Sequence, residues 1–204
     1  MKKLNIKKCY PYTKYRLEHS LNLDRNQISD LSPLKNLVNL KQLILSCNQI
    51  SNISPLKNLV NLEELFLYNN KISDISPLKI LVNLKQLILS CNQITDISPL
   101  RNLGNLEGLF LYGNKISDIS PLEDLVNLEE LSLWDNIISD ISPLKNLVSL
   151  RKLSLSGNPI SHTPLVSPLK NLVSLEMLNL EGVPISYRQV QELREALPNC
   201  TIVC

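Results

Sequence analysis

Aromatic side chains are scarce in this sequence: 204 residues carry two Phe, six Tyr and one Trp. Glycine is scarcer still, with five in all, so no Gly-rich loop exists to cradle a phosphate. The two histidines, His19 and His162, are far apart in the chain. Catalysis needs a nucleophile, a base and an orienting group at one place, and no such constellation is visible. The expectation is a protein that is not an enzyme and uses no cofactor or metal. No apolar run approaches the roughly 18 residues that span a bilayer, so membrane insertion is not expected. The N-terminus, MKKLNIKKCYPYTKYRLE, is basic, but no apolar segment follows it as in a secretory signal peptide. The chain is therefore expected in the cytoplasm, or outside by a route without a conventional signal peptide. Five cysteines form an odd set without framework spacing, which fits a reducing compartment. Charge of one sign is also missing. Lys and Arg number 21 against 19 Asp and Glu, mixed throughout, so no basic stripe invites a nucleic acid.

What the chain has is leucine, isoleucine and a repeat. LKQLILSCNQISNISPLKNLVN runs over 40–61 and LEELFLYNNKISDISPLKILVN over 62–83; the pattern returns from Leu84, Leu106, Leu128 and Leu150. An earlier copy begins near Glu18 and a last one at Leu175, about eight copies with a 22-residue period. The copy from Leu150 is three residues longer, around His162-Thr163-Pro164. Residues 81–124 nearly repeat 37–80, the trace of a duplicated repeat pair or of design from a consensus.

Each repeat position has a physical task. Leu43 and Leu45 alternate with variable neighbours, the period of a strand with one buried face. Asn48 follows where the chain turns, and its amide can both donate to and accept from backbone groups the bend leaves unpaired. Stacking predicts a ladder of Asn26, Asn48, Asn70, Asn92, Asn114, Asn136 and Asn158, ended by Val183. Ile50 and Ile53 return to the core. Ser54 is then expected to cap, with Pro55 at the start of a helix too short to be other than 3-10 or one α turn. Leu56 and Leu59 face inward from it. The fold class is α/β: a parallel sheet inside a curve and short helices outside. One unit cannot bury its own apolar face, so neighbours must stack and the ends need caps. Residues 1–17, with Leu4 and Ile6 alternating, are expected to cap the N-terminus, residues 18–185 to form the repeats, and 186–204 to form a C-terminal cap. In that last segment Val190, Leu193, Ala196 and Leu197 have helical spacing, Pro198 stops the helix, and Thr201 to Cys204 read as an edge strand.

LxxLxLxxNxI followed by SxIxPLxxL, recurring through the central copies, resembles the bacterial internalin-like class of leucine-rich repeats, over roughly 18–185. The resemblance implies a right-handed curved solenoid whose concave strands bind a protein, often through exposed aromatics. The matching positions here are Phe66, Tyr68, Phe110, Tyr112 and Trp134.

The residues themselves point the same way. Strand residues that are not Leu face the hollow of the curve. One outward column reads Asn22, Ile44, Phe66, Ile88, Phe110, Ser132, Ser154, Asn179; the next reads Asp24, Ser46, Tyr68, Ser90, Tyr112, Trp134, Ser156, Glu181. Five of the nine aromatics fall in these columns. The expected site for a protein partner is Ile44, Phe66, Tyr68, Ile88, Phe110, Tyr112 and Trp134, with Glu64, Lys71, Lys115, Glu130, Asp135 and Lys152 as a polar rim. Eight strands about 4.8 Å apart make a hollow about 34 Å long. Five rings of roughly 150–250 Å² could supply most of the ~800 Å² per partner of a standard interface. A homodimer through the same patch, or a structural array with no dedicated ligand, are the alternatives. Rings that merely pack on neighbouring repeats would serve no ligand.

Two other columns carry less. Cys47 and Cys91 lie two copies apart, about 10 Å by strand spacing, beyond the ~7 Å a disulfide allows. Cys200 and Cys204 are about 13 Å apart if extended and should not bridge either. Asp30, Asp74, Asp96, Asp118 and Asp140, interrupted by Asn52, could collect calcium only if their oxygens converged; carboxylates accepting local backbone bonds are the expectation.

Overall fold

The computed structural model of the protein describes residues 19–160 and 165–204. Nine parallel strands form one sheet in sequence order, β1 to β9. The first eight are Ser20–Asn22, Gln42–Ile44, Glu64–Phe66, Gln86–Ile88, Gly108–Phe110, Glu130–Ser132, Lys152–Ser154 and Met177–Asn179. The last, β9, is Thr201–Val203 and pairs with β8. Register follows the repeat without a slip: Leu21, Leu43, Leu65, Leu87, Leu109, Leu131, Leu153 and Leu178 are cross-strand partners in turn. A one-residue shift would turn every leucine outward, so burial of one face fixes the register. The sheet stays open, and the whole is a leucine-rich-repeat solenoid with a concave strand face and short helices on the convex side.

The return halves are 3-10 helices at Ser32–Leu34, Ser54–Asn58, Ser76–Ile80, Ser98–Leu100, Ser120–Leu122 and Ser142–Asn146. The longer copy instead makes a single α turn, α1, at Val166–Leu169. Ser54 does not cap, contrary to expectation. It is already inside the helix, Ile53 holds the cap position, and no side-chain cap bond is made there. The group two residues earlier does the work: Asn52 Oδ1 accepts the Ser54 amide at 2.9 Å, and Asp74, Asp96, Asp118 and Asp140 accept from Ser76, Ser98, Ser120 and Ser142 at 2.8 Å. The carboxylate column thus accepts local backbone bonds, as its sequence suggests. Bonds from the Ser32 side chain and amide hold the Asp30 carboxyl below the usual carboxylate range, and those from Ser76 do the same for Asp74.

Leu and Ile from every described repeat merge into one continuous core with no aromatic in it. The asparagine ladder threads the repeats together. Asn48, Asn70, Asn92, Asn114, Asn136 and Asn158 each accept an Ile amide of the preceding repeat at 3.0 Å. Each also donates to two leucine carbonyls, one in its own repeat and one in the repeat before. Asn26 is exposed and donates only to Leu23 and Asp24 of its own turn among the described residues. Val183 is buried at the ladder's far end. Beyond it, α2 (Tyr187–Ala196) starts at Ser186, which forms a capping box with Gln189. Leu193 and Leu197 of this segment reach the core. The expected N-terminal cap and the His162-Thr163-Pro164 insertion lie outside the described residues.

The turn before each ladder asparagine holds a left-handed residue that the sequence reading did not anticipate. Arg25, Cys47, Asn69, Cys91, Gly113, Asp135, Gly157 and Gly182 all have positive φ, between 53° and 75°. Gly, Asn and Asp recurring at one position was the available signal. At Gly157 a Cβ would find only ordinary contact, 3.5 Å to the Asp135 amide nitrogen, so a substitution there isolates the backbone term. Gly157→Val should cost about 1–2 kcal/mol in urea unfolding, and Gly157→Asn clearly less. Equal costs for both would reject conformational strain as the cause.

Candidate protein-interaction face

The first outward column is a run of register partners: Ile44, Phe66, Ile88 and Phe110 stand side by side across β2 to β5, followed by Ser132 and Ser154. All four apolar residues are half-buried. Backbone bonds continue the register past the strands, with Asn69 N–H to Ser90 O at 2.9 Å and Cys91 N–H to Tyr112 O at 2.8 Å. The second column is thereby set as Tyr68, Ser90, Tyr112, Trp134. Tyr112 and Trp134 stack with centroids 4.5 Å apart and planes within 9°. Tyr68 and Tyr112 tilt at 46° with centroids 6.0 Å apart. The structure therefore brings all seven residues of the expected apolar site onto one face. None is in the core. Burial, with the neighbouring Tyr68 and Cys91 adding to it, pushes the Tyr112 hydroxyl pKa up. The Ser90 hydroxyl under these rings is fully buried with no partner among the described residues.

The expected rim is only partly a rim. Glu130 and Lys152 form an ion pair at 2.7 Å, and that bond raises the Lys152 pKa. Glu64 is half-buried and accepts from Gln42 at 2.6 Å, while Gln42 accepts from Ser20 at 2.6 Å. Lys71, Lys115 and Asp135 are exposed and make no ion pair among the described residues. At Gly108 a Cβ would lie 2.2 Å from Gln86 Oε1, so the Gln86 side chain folds over this gap in the column.

A second asparagine row escaped sequence reading. Asn61, Asn83, Asn105 and Asn127 donate to Val38, Val60, Val82 and Gly104 carbonyls of the preceding repeat at 2.7–2.9 Å. Its signal was present, since Asn or Ser precedes the first Leu of most copies. Asn61, Asn83 and Asn105 of this row line a polar hollow of about 530 Å³ with His19, Asn39, Lys41, Glu63 and Lys85. Glu63 is clamped there between Lys41 at 2.8 Å and Lys85 at 3.2 Å, which lowers its pKa. Arg151 is likewise held by Glu176 at 2.6 Å. The hollow's charges are spent on one another, so it offers less to a ligand than the ring-bearing face.

His19 meets the Asn39 carbonyl at 3.1 Å, and among the described residues no nucleophile is paired with it. Among the described residues no three His, Cys, Asp or Glu gather as a metal site would need. Cys47, Cys91, Cys200 and Cys204 are free thiols, and burial raises the Cys200 pKa. No described helix is long and apolar enough to cross a membrane.

The model of paired leucine-rich repeats matches residues 19–58, 60–102, 104–146 and 126–171. No curated protein matches the sequence. Solved structures do. An internalin (inlF) of Listeria monocytogenes superposes with a TM-score of 0.84 at 32% identity, covering 92% of this chain and 61% of that one. Internalin C2 of the same bacterium gives 0.74 at 43% identity, covering 79% and 70%. A leucine-rich-repeat protein of Leptospira interrogans gives 0.84 at 32% identity, covering 91% and 48%. The chain thus spans less than two thirds of the first of these. Proteins of this architecture are in general scaffolds for protein interaction, and internalin-like relatives are typically non-enzymatic modules. Repeat pattern, sheet register and superposition agree: the chain belongs to the leucine-rich-repeat family and is internalin-like.

Proposed function

We propose that this chain is a non-enzymatic scaffold that holds a protein partner on its concave face through Ile44, Phe66, Tyr68, Ile88, Phe110, Tyr112 and Trp134. The observation that carries this reading is where the rings stand. A chain with nine aromatics leaves five of them half-buried or exposed on one face, while the core formed by its described residues is aliphatic. Large exposed apolar patches are rare on monomers and mark contact surfaces. Tyr and Trp are frequent energetic anchors because they bury much area at little entropy cost. Lys71, Lys115 and Asp135 flank the patch with unspent charge for orientation.

The triple variant Phe66→Ala/Phe110→Ala/Trp134→Ala should keep the wild-type circular dichroism and lose the partner in affinity purification run side by side. Undiminished capture by that variant would move the site elsewhere. Light scattering over rising concentration covers the competing occupant: a dimer that the triple variant abolishes assigns the face to a second copy.

A further inference from the structure

The second ring column holds two intervals of equal width and opposite fate. Parallel strands lie about 4.8 Å apart, so residues two strands apart start about 9.6 Å from each other. Between Tyr68 and Tyr112 the rings lean together to 6.0 Å and seal Ser90, which is 0% exposed. On the far side of Trp134 the same interval stays open. Trp134 spends one face on Tyr112, at 4.5 Å and 9°. Because those planes are nearly parallel and about one strand apart, its other face looks along the sheet toward Ser156. Trp134 is 40% exposed, and Ser156 below it is only half-buried. The floor is two hydroxyls, Ser154 and Ser156, 3.4 Å apart. Glu181 stands on the opposite side and Asp135 follows Trp134 in the chain, both exposed. Neither is in an ion pair among the described residues. The neighbouring charges are already matched, Lys152 by Glu130 at 2.7 Å and Arg151 by Glu176 at 2.6 Å.

We propose that this slot takes the guanidinium of an arginine carried by the protein partner, a refinement that rests on the concave face being the binding surface. A guanidinium is flat and stacks on an indole face at about 3.5 Å, the most favourable aromatic partner for a cation. About 6 Å of the interval then remains for the Glu181 carboxylate. The in-plane N–H fork donates toward the serine hydroxyls and Asp135. Lysine presents a point charge and cannot fill a flat slot equally well. A carboxylate would face Asp135 and Glu181 and be repelled. The attraction is local, because the chain as a whole carries +2.

Trp134 is the only tryptophan, so its emission reports directly on the slot. Hexa-arginine, hexalysine and hexaglutamate peptides are titrated into the full chain at physiological salt. The expected result is a saturable change with hexa-arginine, about five-fold or more weaker with hexalysine, and none with hexaglutamate. Ser156→Leu, which fills the slot, should abolish the response, and Glu181→Gln should weaken it about five-fold. Absence of saturation, or an unchanged response in Glu181→Gln and in folded Ser156→Leu, overturns the proposal. If that occurs while the triple alanine variant still loses its partner, the slot falls and the concave face stands. If the triple variant keeps its partner, the face reading falls, and the peptide titration judges the slot separately.

Discussion

Asn114→Ala should destabilise the protein by about 2–4 kcal/mol, far more than loss of one exposed amide would. Asn114 is 9% exposed. Its Oδ1 is the acceptor for the buried Ile94 amide at 3.0 Å, and its Nδ2 donates to Leu89 O at 3.1 Å and Leu111 O at 2.8 Å. The ladder shares its acceptors. Leu89 O keeps Asn92 and Leu111 O keeps Asn136 as donors after the change. The Ile94 amide has no such reserve and would be left unpaired in the interior, which costs about 1–3 kcal/mol beyond the lost donor bonds. Chemical unfolding followed by circular dichroism measures this, and thermal midpoints should drop by roughly 4–12 °C. Asn114→Asp sharpens the point. It keeps the acceptor for Ile94 but aims a carboxylate at two carbonyls, which raises its folded pKa. That variant should be worse than wild type at neutral pH, begin to recover as pH falls through its raised folded pKa, where the carboxyl is protonated and can donate, and complete the recovery by about pH 4, the unfolded Asp value. A fall of under about 1 kcal/mol for Asn114→Ala would reject the ladder as the tie between repeats.

Leu109→Ala should cost about 2–5 kcal/mol by itself, because its side chain is 0% exposed at the centre of β5 and the array cannot collapse around the void. Phe110 is the next residue on the same strand, yet its ring lies on the other face, half in solvent. Removing Phe66, Phe110 and Trp134 together should cost about 1 kcal/mol or less per ring, with cooperative unfolding intact. Adjacent positions thus divide labour: Leu109 holds the fold and Phe110 is free for a partner. Urea midpoints for the two variants, set beside partner capture, test this division. A triple variant that unfolds at room temperature would make the rings structural and remove the docking face.

Much of this was legible because the repeat writes the same physics many times. Alternation at Leu43 and Leu45 and its echoes told strand from helix, and strict spacing left no freedom in register. The Asn48 ladder was readable since an amide recurring at a bend must serve backbone groups there. Ser54 was misread because Ser-Pro looks like a cap and first turn, whereas this 3-10 helix already includes Ser54, leaves the cap position to Ile53 and lets Asn52 or, in other repeats, Asp take the amide. The left-handed turn residues were obscured by Cys47, Cys91 and Arg25, side chains that do not announce positive φ.

Sequence alone determined the period, the aliphatic core, the parallel order of strands and the face on which the rings would fall. These depend on which side of a pleat a residue occupies, and alternation settles that locally. Only the tertiary structure decided how the rings treat one another. Tyr68 and Tyr112 close over Ser90 while Trp134 leaves Ser156 open, although Tyr68 and Tyr112, like Trp134 and Glu181, flank an interval of two strands. The same holds for the pairing of Glu130 with Lys152, while Asp135 and Glu181 stay outside any ion pair among the described residues. Side-chain rotamers are chosen by neighbours one and two repeats away, and a 22-residue pattern carries no record of that choice.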